Sequence, residues 1–358
     1  MINRNRKGEN TPMSSNPSPD TQADIPPGRK WSVDLFRPEY AERVTRLFRS
    51  VYGADYPIRA YIEPEILIRE NAAHHIISSV ARTEEGDIVG HTALFQSAPY
   101  KNIYESGAGL VHRNYRGGHG IFNRMIAHGV EIGEKLGVEL VYGEPVCNHV
   151  FSQRVCWTLE MLPRAIEINL MPAATYSKEK SARGRVSTML NFRPLRPKPH
   201  TLYLPPVYRQ QLEFFYEGFT DQRTFASSDC PLDETVATRL EPQVFDFAQV
   251  ARIAADVVGA DFAARLDNLE KDLTDHGVRV FQVWLNLGRP EVGAAVEVLR
   301  KQGFFFGGPL PRWFDSDGLL MQKVLDLPGW DEMQIHYQRD RELVEVVKAD
   351  WNRLQSPT

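Results

Sequence analysis

The fold that we expect for this chain is decided by one stretch of sequence, Val111-His112-Arg113-Asn114-Tyr115-Arg116-Gly117-Gly118-His119-Gly120-Ile121-Phe122. Residues 105–111 before it resemble a strand, and apolar residues after it recur at close to helical spacing as far as Leu136. A glycine-rich turn that opens a helix leaves backbone N–H groups unpaired and directed at one point. Together with the helix dipole, these donors suit a phosphate or pyrophosphate. We therefore expect this stretch, the glycine loop (residues 111–122), to bind a phosphorylated cofactor.

Composition limits the class of protein. A length of 358 residues favours two domains, and 42% hydrophobic with 25% charged residues is ordinary for a soluble globular chain. A net charge of -4 gives no overall basic surface for nucleic acid, and no apolar run approaches the ~20 residues that span a bilayer. The 3 cysteines include no CxxC pair, which disfavours disulfides and structural zinc. We expect a cytoplasmic protein with no metal, nucleic-acid or membrane partner.

The chain divides into four expected segments. Residues 1–28 are polar, contain no apolar core of a secretory signal, and are predicted to be disordered. Residues 29–198 form a first domain. Residues 199–239 form a proline-rich linker with a bridging helix, and residues 240–358 form a second domain with a C-terminal helix.

Local patterns predict the order of elements in each domain. In the first, a strand at 31–36 precedes helices that open at Pro38 and Pro64, a hairpin turns at Gly86, and a strand spans 103–111. The loop helix ends at Gly137, a strand covers 138–143, Asn148 caps a helix, and strands cover 165–171 and 186–192. The second is predicted to contain helices at 250–257, 266–273 and 290–301, a strand at 278–285, and short strands at 304–306 and 319–324.

This order of elements and its motifs resemble the GNAT superfamily of acyltransferases. The glycine loop resembles the superfamily's pyrophosphate loop, although it is one residue longer and has Phe122 where glycine is more usual. The resemblance covers residues 31–198 well and 240–328 weakly. It implies an α/β (α+β) fold of two GNAT-like modules, each a mixed central sheet flanked by helices. The second module lacks a glycine loop and is not expected to bind coenzyme A, but to shape the substrate cleft or a dimer face.

The resemblance also implies which residues form the site. A backbone N–H near Leu110 would polarise the thioester carbonyl, and Glu144 or Glu105 would act as the base, through water. Cys156 occupies the position where the superfamily often has a tyrosine acid, and a thiol is chemically able to protonate the departing thiolate. The expected cofactor contacts are Leu110, Val111, His112, Arg116, Gly117, Gly118, His119, Gly120, Ile121, Phe122, Asn148 and Ser152.

The implied function is acyl transfer from acetyl-coenzyme A, or a related acyl-coenzyme A, to an amine of a small molecule or protein, with a homodimer as a possible assembly. A coenzyme A-binding sensor or interaction protein with little turnover is the alternative, because the tyrosine is missing and the second module is degenerate. A nucleotide-binding enzyme is disfavoured because no Gly-Lys-Ser/Thr follows the loop and no GxGxxG motif is present.

Overall fold

The first unit of the protein is built on a seven-stranded mixed sheet. The computed structural model describes residues 25–53, 56, 58–117, 120–176 and 183–355. The strands of this sheet are β1 (Trp31–Leu35), β2 (Ile76–Thr83), β3 (Ile88–Phe95), β4 (Ile103–Val111), β5 (Leu140–Gly143), β6 (Leu162–Met171) and β7 (Val186–Pro194). Their order is β1-β2-β3-β4-β5-β7-β6, and within this sheet only the β4–β5 pair is parallel.

Helices cover both faces of the first sheet. The apolar side of α1 (Ala41–Tyr52), together with α2 (Pro64–Ala72), packs against residues of β2, β3 and β4 on one face. On the other face, α3 (Ile121–Leu136) and α4 (Phe151–Thr158) pack against alternate residues of β2 to β5. The alternation along these strands therefore places the glycine loop and its helix on the face opposite α1 and α2.

The second unit contains a five-stranded mixed sheet. Its strands are β10 (Arg239–Phe245), β11 (Val250–Val257), β12 (Val280–Asn286), β13 (Phe305–Phe314) and β14 (Ser316–Val324), in the order β10-β11-β12-β14-β13. Its helices are α6 (Phe262–Asp275), α7 (Val292–Lys301) and α8 (Gln338–Gln355). Between the units lie β8 (His200–Leu204) and β9 (Arg223–Ser227), which pair in parallel, and α5 (Arg209–Tyr216).

The two sheets share one topology. In the first unit β3-β4-α3-β5-α4-β6-β7 gives a sheet order of β3-β4-β5-β7-β6, and β10-β11-α6-β12-α7-β13-β14 gives the same order in the second. In both, only the second pair, β4–β5 or β11–β12, is parallel. The expectation of two mixed sheets flanked by helices is confirmed at the level of fold class.

One local expectation is corrected. The helix predicted over 250–257 is strand β11, which is buried on both sides, so its continuous apolar run also satisfied helical spacing. Within the stretch 199–239, Leu202, Leu204 and Tyr208 are fully buried in a hydrophobic core shared with the second unit. No helix in the described ranges combines the length and apolar character needed to cross a membrane.

The second unit packs against the β5–β7–β6 half of the first sheet. Rings of Tyr142 and Trp313 lie 5.1 Å apart, and Trp284 contacts Trp313 at the same separation. The buried amide of Gln322 accepts a hydrogen bond from the Ile168 N–H and donates one to the Ile166 carbonyl, each at 2.8 Å. These contacts bring the face of the second sheet to the end of the β4–β5 pair.

Candidate functional site

The centre of the candidate site is an opening between β4 and β5. The two strands pair only from Ile103–Leu140 to Glu105–Tyr142. Beyond that point β4 contains a bulge, because one residue of β3 (Thr92) faces two residues of β4 (Ala108 and Gly109) between the pairs His91–Leu110 and Ala93–Gly107. Ala108, in the bulge, has φ +48°. His91 fixes this conformation, since its Nδ1 lies 2.9 Å from the Ala108 carbonyl and its Nε2 lies 3.1 Å from the Ser78 hydroxyl.

A cavity of about 150 Å³ occupies the α3–α4 side of this opening, lined by residues that include Ser106, Gly143, Glu144, Ser152 and Cys156. The buried Ser152 hydroxyl has no hydrogen-bond partner among the described residues. A buried polar atom without a partner costs free energy, so it indicates a place for a ligand or water. The lining also includes apolar side chains, so the cavity offers an apolar surface and one unpaired hydroxyl to a ligand.

The glycine loop is open where a cofactor phosphate would need space. Gly117 and Gly120 have φ +77° and +66°, and an added Cβ at either position would meet no atom of the described residues within 4 Å. No side chain of the described residues caps α3 at Gly120, so within that part of the chain the first N–H groups of the helix remain available. Gly118 and His119 lie outside the described residues.

Most of the remaining predicted cofactor residues line one cleft. It has a volume of about 600 Å³, and Phe122 lines both this cleft and the smaller cavity. Arg116 is exposed, and its Nε donates to the Val111 carbonyl at 2.8 Å. The predicted residues that line the cleft are Leu110, Val111, Arg116, Gly117, Gly120, Ile121 and Phe122.

Two predicted cofactor residues lie elsewhere. His112 is buried beneath the loop, where its Nδ1 accepts from the Asn114 N–H at 3.3 Å, so it shapes the loop from within. Asn148 lines a different cavity, with Arg183, Arg185 and Glu332. It also does not cap α4, which begins at Phe151 after Val150, because the chain turns toward the second unit first.

Three carboxylates and one guanidinium meet beside the opening, and Glu144 among them also lines the cavity. Glu105 lies on β4, Glu144 follows β5, and Glu167 lies on β6. Arg252 on β11 donates from Nη2 to Glu144 Oε1 at 3.0 Å and to Glu167 Oε1 at 2.8 Å. The Ser97 hydroxyl donates to Glu105 Oε2 at 2.7 Å.

Burial controls the protonation of this cluster. Loss of solvation raises the pKa of Glu105 and raises that of Glu144 well above its ordinary value, while the charge of Arg252 opposes both shifts. The Tyr142 hydroxyl is also hydrogen-bonded to the Ser97 hydroxyl. Because Ser97 donates its proton to Glu105, Tyr142 is the donor in this second bond. Glu105 and Glu144 therefore hold a proton more tightly than exposed carboxylates do.

Cys156 lies at the cavity as a protonated thiol. Its sulfur is 3.7 Å from the position a Cβ would take on Gly143, where β5 ends. Burial raises the pKa of Cys156 to about 12, compared with ~8.5 for an ordinary thiol. Protonation of a thiolate by this group is therefore energetically uphill.

Sequence reasoning missed Ser97, Glu167 and Arg252. None belongs to a local motif, and Arg252 is 85 residues from Glu167 in the chain. On the α1–α2 face of the sheet, it also missed the aromatic contact in which Phe48 and Tyr61 stack at 4.7 Å, with His91 at their edges. Within the described ranges, no group of three or more histidine, cysteine or acidic side chains is arranged to hold a metal ion.

The corresponding position of the second unit is closed by its own chain. β11 and β12 pair over six positions, so no opening forms between them. Near the start of α6, a Cβ on Gly259 would overlap the Val236 carbonyl, and the Gly259 N–H donates to the Thr238 hydroxyl at 2.9 Å. The Ala260 N–H donates to the Asp233 carbonyl at 3.0 Å. The donors that a phosphate would need here are used internally.

No protein-family model matches the sequence, and no curated protein matches it. Among solved structures, the chain is similar to a ribosomal-protein-S5-alanine acetyltransferase from Vibrio fischeri, with 14% identity over 46% of this chain and 92% of that one, at a TM-score of 0.37. It is similar to an N-acetyltransferase from Staphylococcus aureus Mu50, with 11% identity, 47% and 99% coverage, and a TM-score of 0.38. A GNAT superfamily phosphinothricin acetyltransferase from Sinorhizobium meliloti, in complex with AcCoA, gives 17% identity, 46% and 89% coverage, and a TM-score of 0.36. These three similar structures are acetyltransferases, and each matches about half of this chain.

Proposed function

We propose that this protein transfers an acyl group from acyl-coenzyme A to an amine of a small molecule or a protein. The observation that carries the proposal is the opening between β4 and β5, which has a cavity of about 150 Å³ on one side and the Glu105 carboxylate at its edge. A thioester passed through such an opening meets a base on the far side. The resemblance of the glycine loop to a pyrophosphate loop supports the same assignment.

The binding roles follow from the polar groups that remain available. Backbone N–H groups of Gly117, Gly120 and the start of α3 would hold the pyrophosphate, with Arg116 beside them. The Ser152 hydroxyl would bind the arm of coenzyme A inside the cavity. A backbone N–H next to the Ala108 bulge would polarise the thioester carbonyl.

The chemical step needs a neutral amine. Glu105, directly or through water, takes the amine proton, and the nitrogen then attacks the thioester carbonyl carbon. The carbon–sulfur bond breaks, and the thiolate leaves with the coenzyme and takes a proton from solvent. Cys156 is assigned to packing against the arm, because its raised pKa makes it a poor acid. Glu144 is held by Arg252 and is the second candidate for the base.

The alternative is a coenzyme A sensor that binds without turnover, and the absence of a good acid at Cys156 is the observation that favours it. Thermal unfolding with acetyl-coenzyme A, coenzyme A and ATP tests binding, because a ligand at 100 times its Kd adds about 2.7 kcal/mol of stability. We expect stabilisation by the first two and none by ATP. Release of free thiol across a panel of amines then tests turnover. Binding without release in any amine would support the sensor, and no stabilisation would refute both functions.

A further inference from the structure

One charged side chain of the second unit, that of Arg252, contacts carboxylates of the first unit's site. Arg252, Gln282 and Gln322 are direct neighbours across β11, β12 and β14, so they form a polar row on the sheet face turned toward the first unit. Gln322 at the end of this row bonds to the backbone of β6. Gln282 orients Arg252, since its Oε1 accepts from the Arg252 Nε at 3.0 Å. The row thus fixes the guanidinium relative to both units.

Arg252 is hydrogen-bonded to two of the three carboxylates, Glu144 and Glu167. Its Nη2 donates to both Glu144 and Glu167, and its side chain is 12% exposed. Glu167 is almost completely buried and also accepts from the Thr188 hydroxyl at 2.8 Å. A buried guanidinium needs such pairing, and its planar fork holds the partners in a fixed arrangement.

Glu105 differs from these two carboxylates. Among the described residues it accepts a hydrogen bond from Ser97 and none from an arginine. Its Oε1 lies 3.5 Å from the position of a Cβ on Gly107, so the side chain runs along β4 toward the opening. Of the three carboxylates, it is the one that no cation from the described ranges contacts directly.

We propose that Arg252 is a positioning residue of the acyl-transfer site: by holding Glu144 and Glu167 as a pair, it leaves Glu105 as the carboxylate that receives the amine proton. This inference rests on the proposed function. It gives the second unit a part in catalysis, although that unit's own cofactor position is closed.

The charge of Arg252 also affects the pKa of Glu105. The titratable groups that face Glu105 are Arg252 from β11, Glu167 from β6, Glu144 and Tyr142 from the β5 segment, and Tyr61 from the segment before α2. Arg252 lowers the pKa of Glu105, and Glu167 raises it. Removal of the guanidinium therefore leaves a higher pKa on Glu105, which shifts the acidic limb of the kcat profile to higher pH.

The test compares R252Q and R252K with wild type, using acetyl-coenzyme A and the amine that gives the fastest thiol release. R239Q is the matched control, because Arg239 lies in the same unit, is 62% exposed, and pairs with Glu241 and Asp256 at the surface. Calorimetric Kd values for acetyl-coenzyme A are measured for all four proteins. The readouts are kcat between pH 5.5 and 9 and Kd.

We expect R252Q to keep its Kd, to lose roughly tenfold or more of kcat at pH 7, and to show its acidic limb at higher pH. R252K keeps the positive charge but loses the planar guanidinium that holds both carboxylates. The acidic limb of its kcat profile therefore stays near that of wild type, while kcat falls several-fold. R239Q matches wild type. If R252Q does not fold, R252K decides. A wild-type kcat and pH profile in R252Q, or in R252K, would overturn the inference alone, whereas no thiol release by wild type would overturn the proposed function and the inference with it.

Discussion

Substitution of Gly120 tests whether α3 begins at the cofactor phosphates. Gly120 has φ +66° and ψ 11°, and no atom of the described part of the chain lies within 4 Å of an added Cβ. Aspartate enters the left-handed region more readily than most residues, at a cost of about 1 kcal/mol. An aspartate at this position, just before the helix, also suits the dipole and the open N–H groups of α3, which offsets part of that cost. We therefore expect G120D to fold with a stability within about 1 kcal/mol of wild type.

Binding should respond very differently. The new carboxylate would compete for the N–H groups and repel the pyrophosphate at close range. Two unit charges about 4 Å apart interact by about 1 kcal/mol in water and about 4 kcal/mol at the effective dielectric of a protein surface. At about 1.4 kcal/mol per decade, this range corresponds to roughly fivefold to 1000-fold weaker binding of acetyl-coenzyme A.

The matched control is G120N, which has nearly the same shape and backbone preference but no charge. Calorimetry and thermal unfolding of wild type, G120N and G120D separate repulsion from strain. We expect weakening to be much greater in G120D than in G120N, and to diminish at high salt because the charges are partly exposed. Equal affinity in wild type and G120D would refute the assignment of phosphates to this helix start.

Three further results follow from the carboxylate cluster, the cavity thiol and a buried acid. E105Q should lower kcat by roughly 10²–10⁴-fold without changing the Kd of acetyl-coenzyme A. The control E131Q changes an exposed glutamate and should leave kcat unchanged. A fully active E105Q would exclude Glu105 as the base. C156A should leave kcat nearly unchanged, because a thiol with a pKa of about 12 is a poor acid, and a loss of two orders of magnitude would restore Cys156 to that role. Burial raises the pKa of Asp340 to about 6 from 3.8, so the folded state holds its proton more tightly and stability falls as pH rises between about 4 and 6. D340N should therefore be more stable than wild type at pH 8 in urea unfolding, by up to about 3 kcal/mol, with the gain lost at pH 4; equal stability at pH 8 would contradict the buried charge.

Features that depend on neighbouring residues in the chain were predictable from the sequence. The helix beginning at Pro64 and the end of α3 at Gly137 follow directly from local backbone preferences. The hairpin of β2 and β3 followed from its alternating pattern and turn. The glycine loop could be located because open backbone donors require glycine there.

Features that depend on burial from another unit were not predictable. Strand β11 satisfied helical spacing because the second unit and the first cover its two faces, which removes the alternation that would identify a strand. Asn148 appeared to be a helix cap, but the segment before α4 is drawn toward residues 331–334. Arg252 could not be assigned to the site, since only the packing of one sheet face on the other brings it to Glu144 and Glu167.

A calorimetric titration of the full chain with acetyl-coenzyme A tests the central claim most directly, because it measures both affinity and stoichiometry. The open glycine loop of the first unit and the closed position at Gly259 predict one binding site per chain. G120D in the same titration should weaken that site. No binding, or two equivalent sites per chain, would contradict the account.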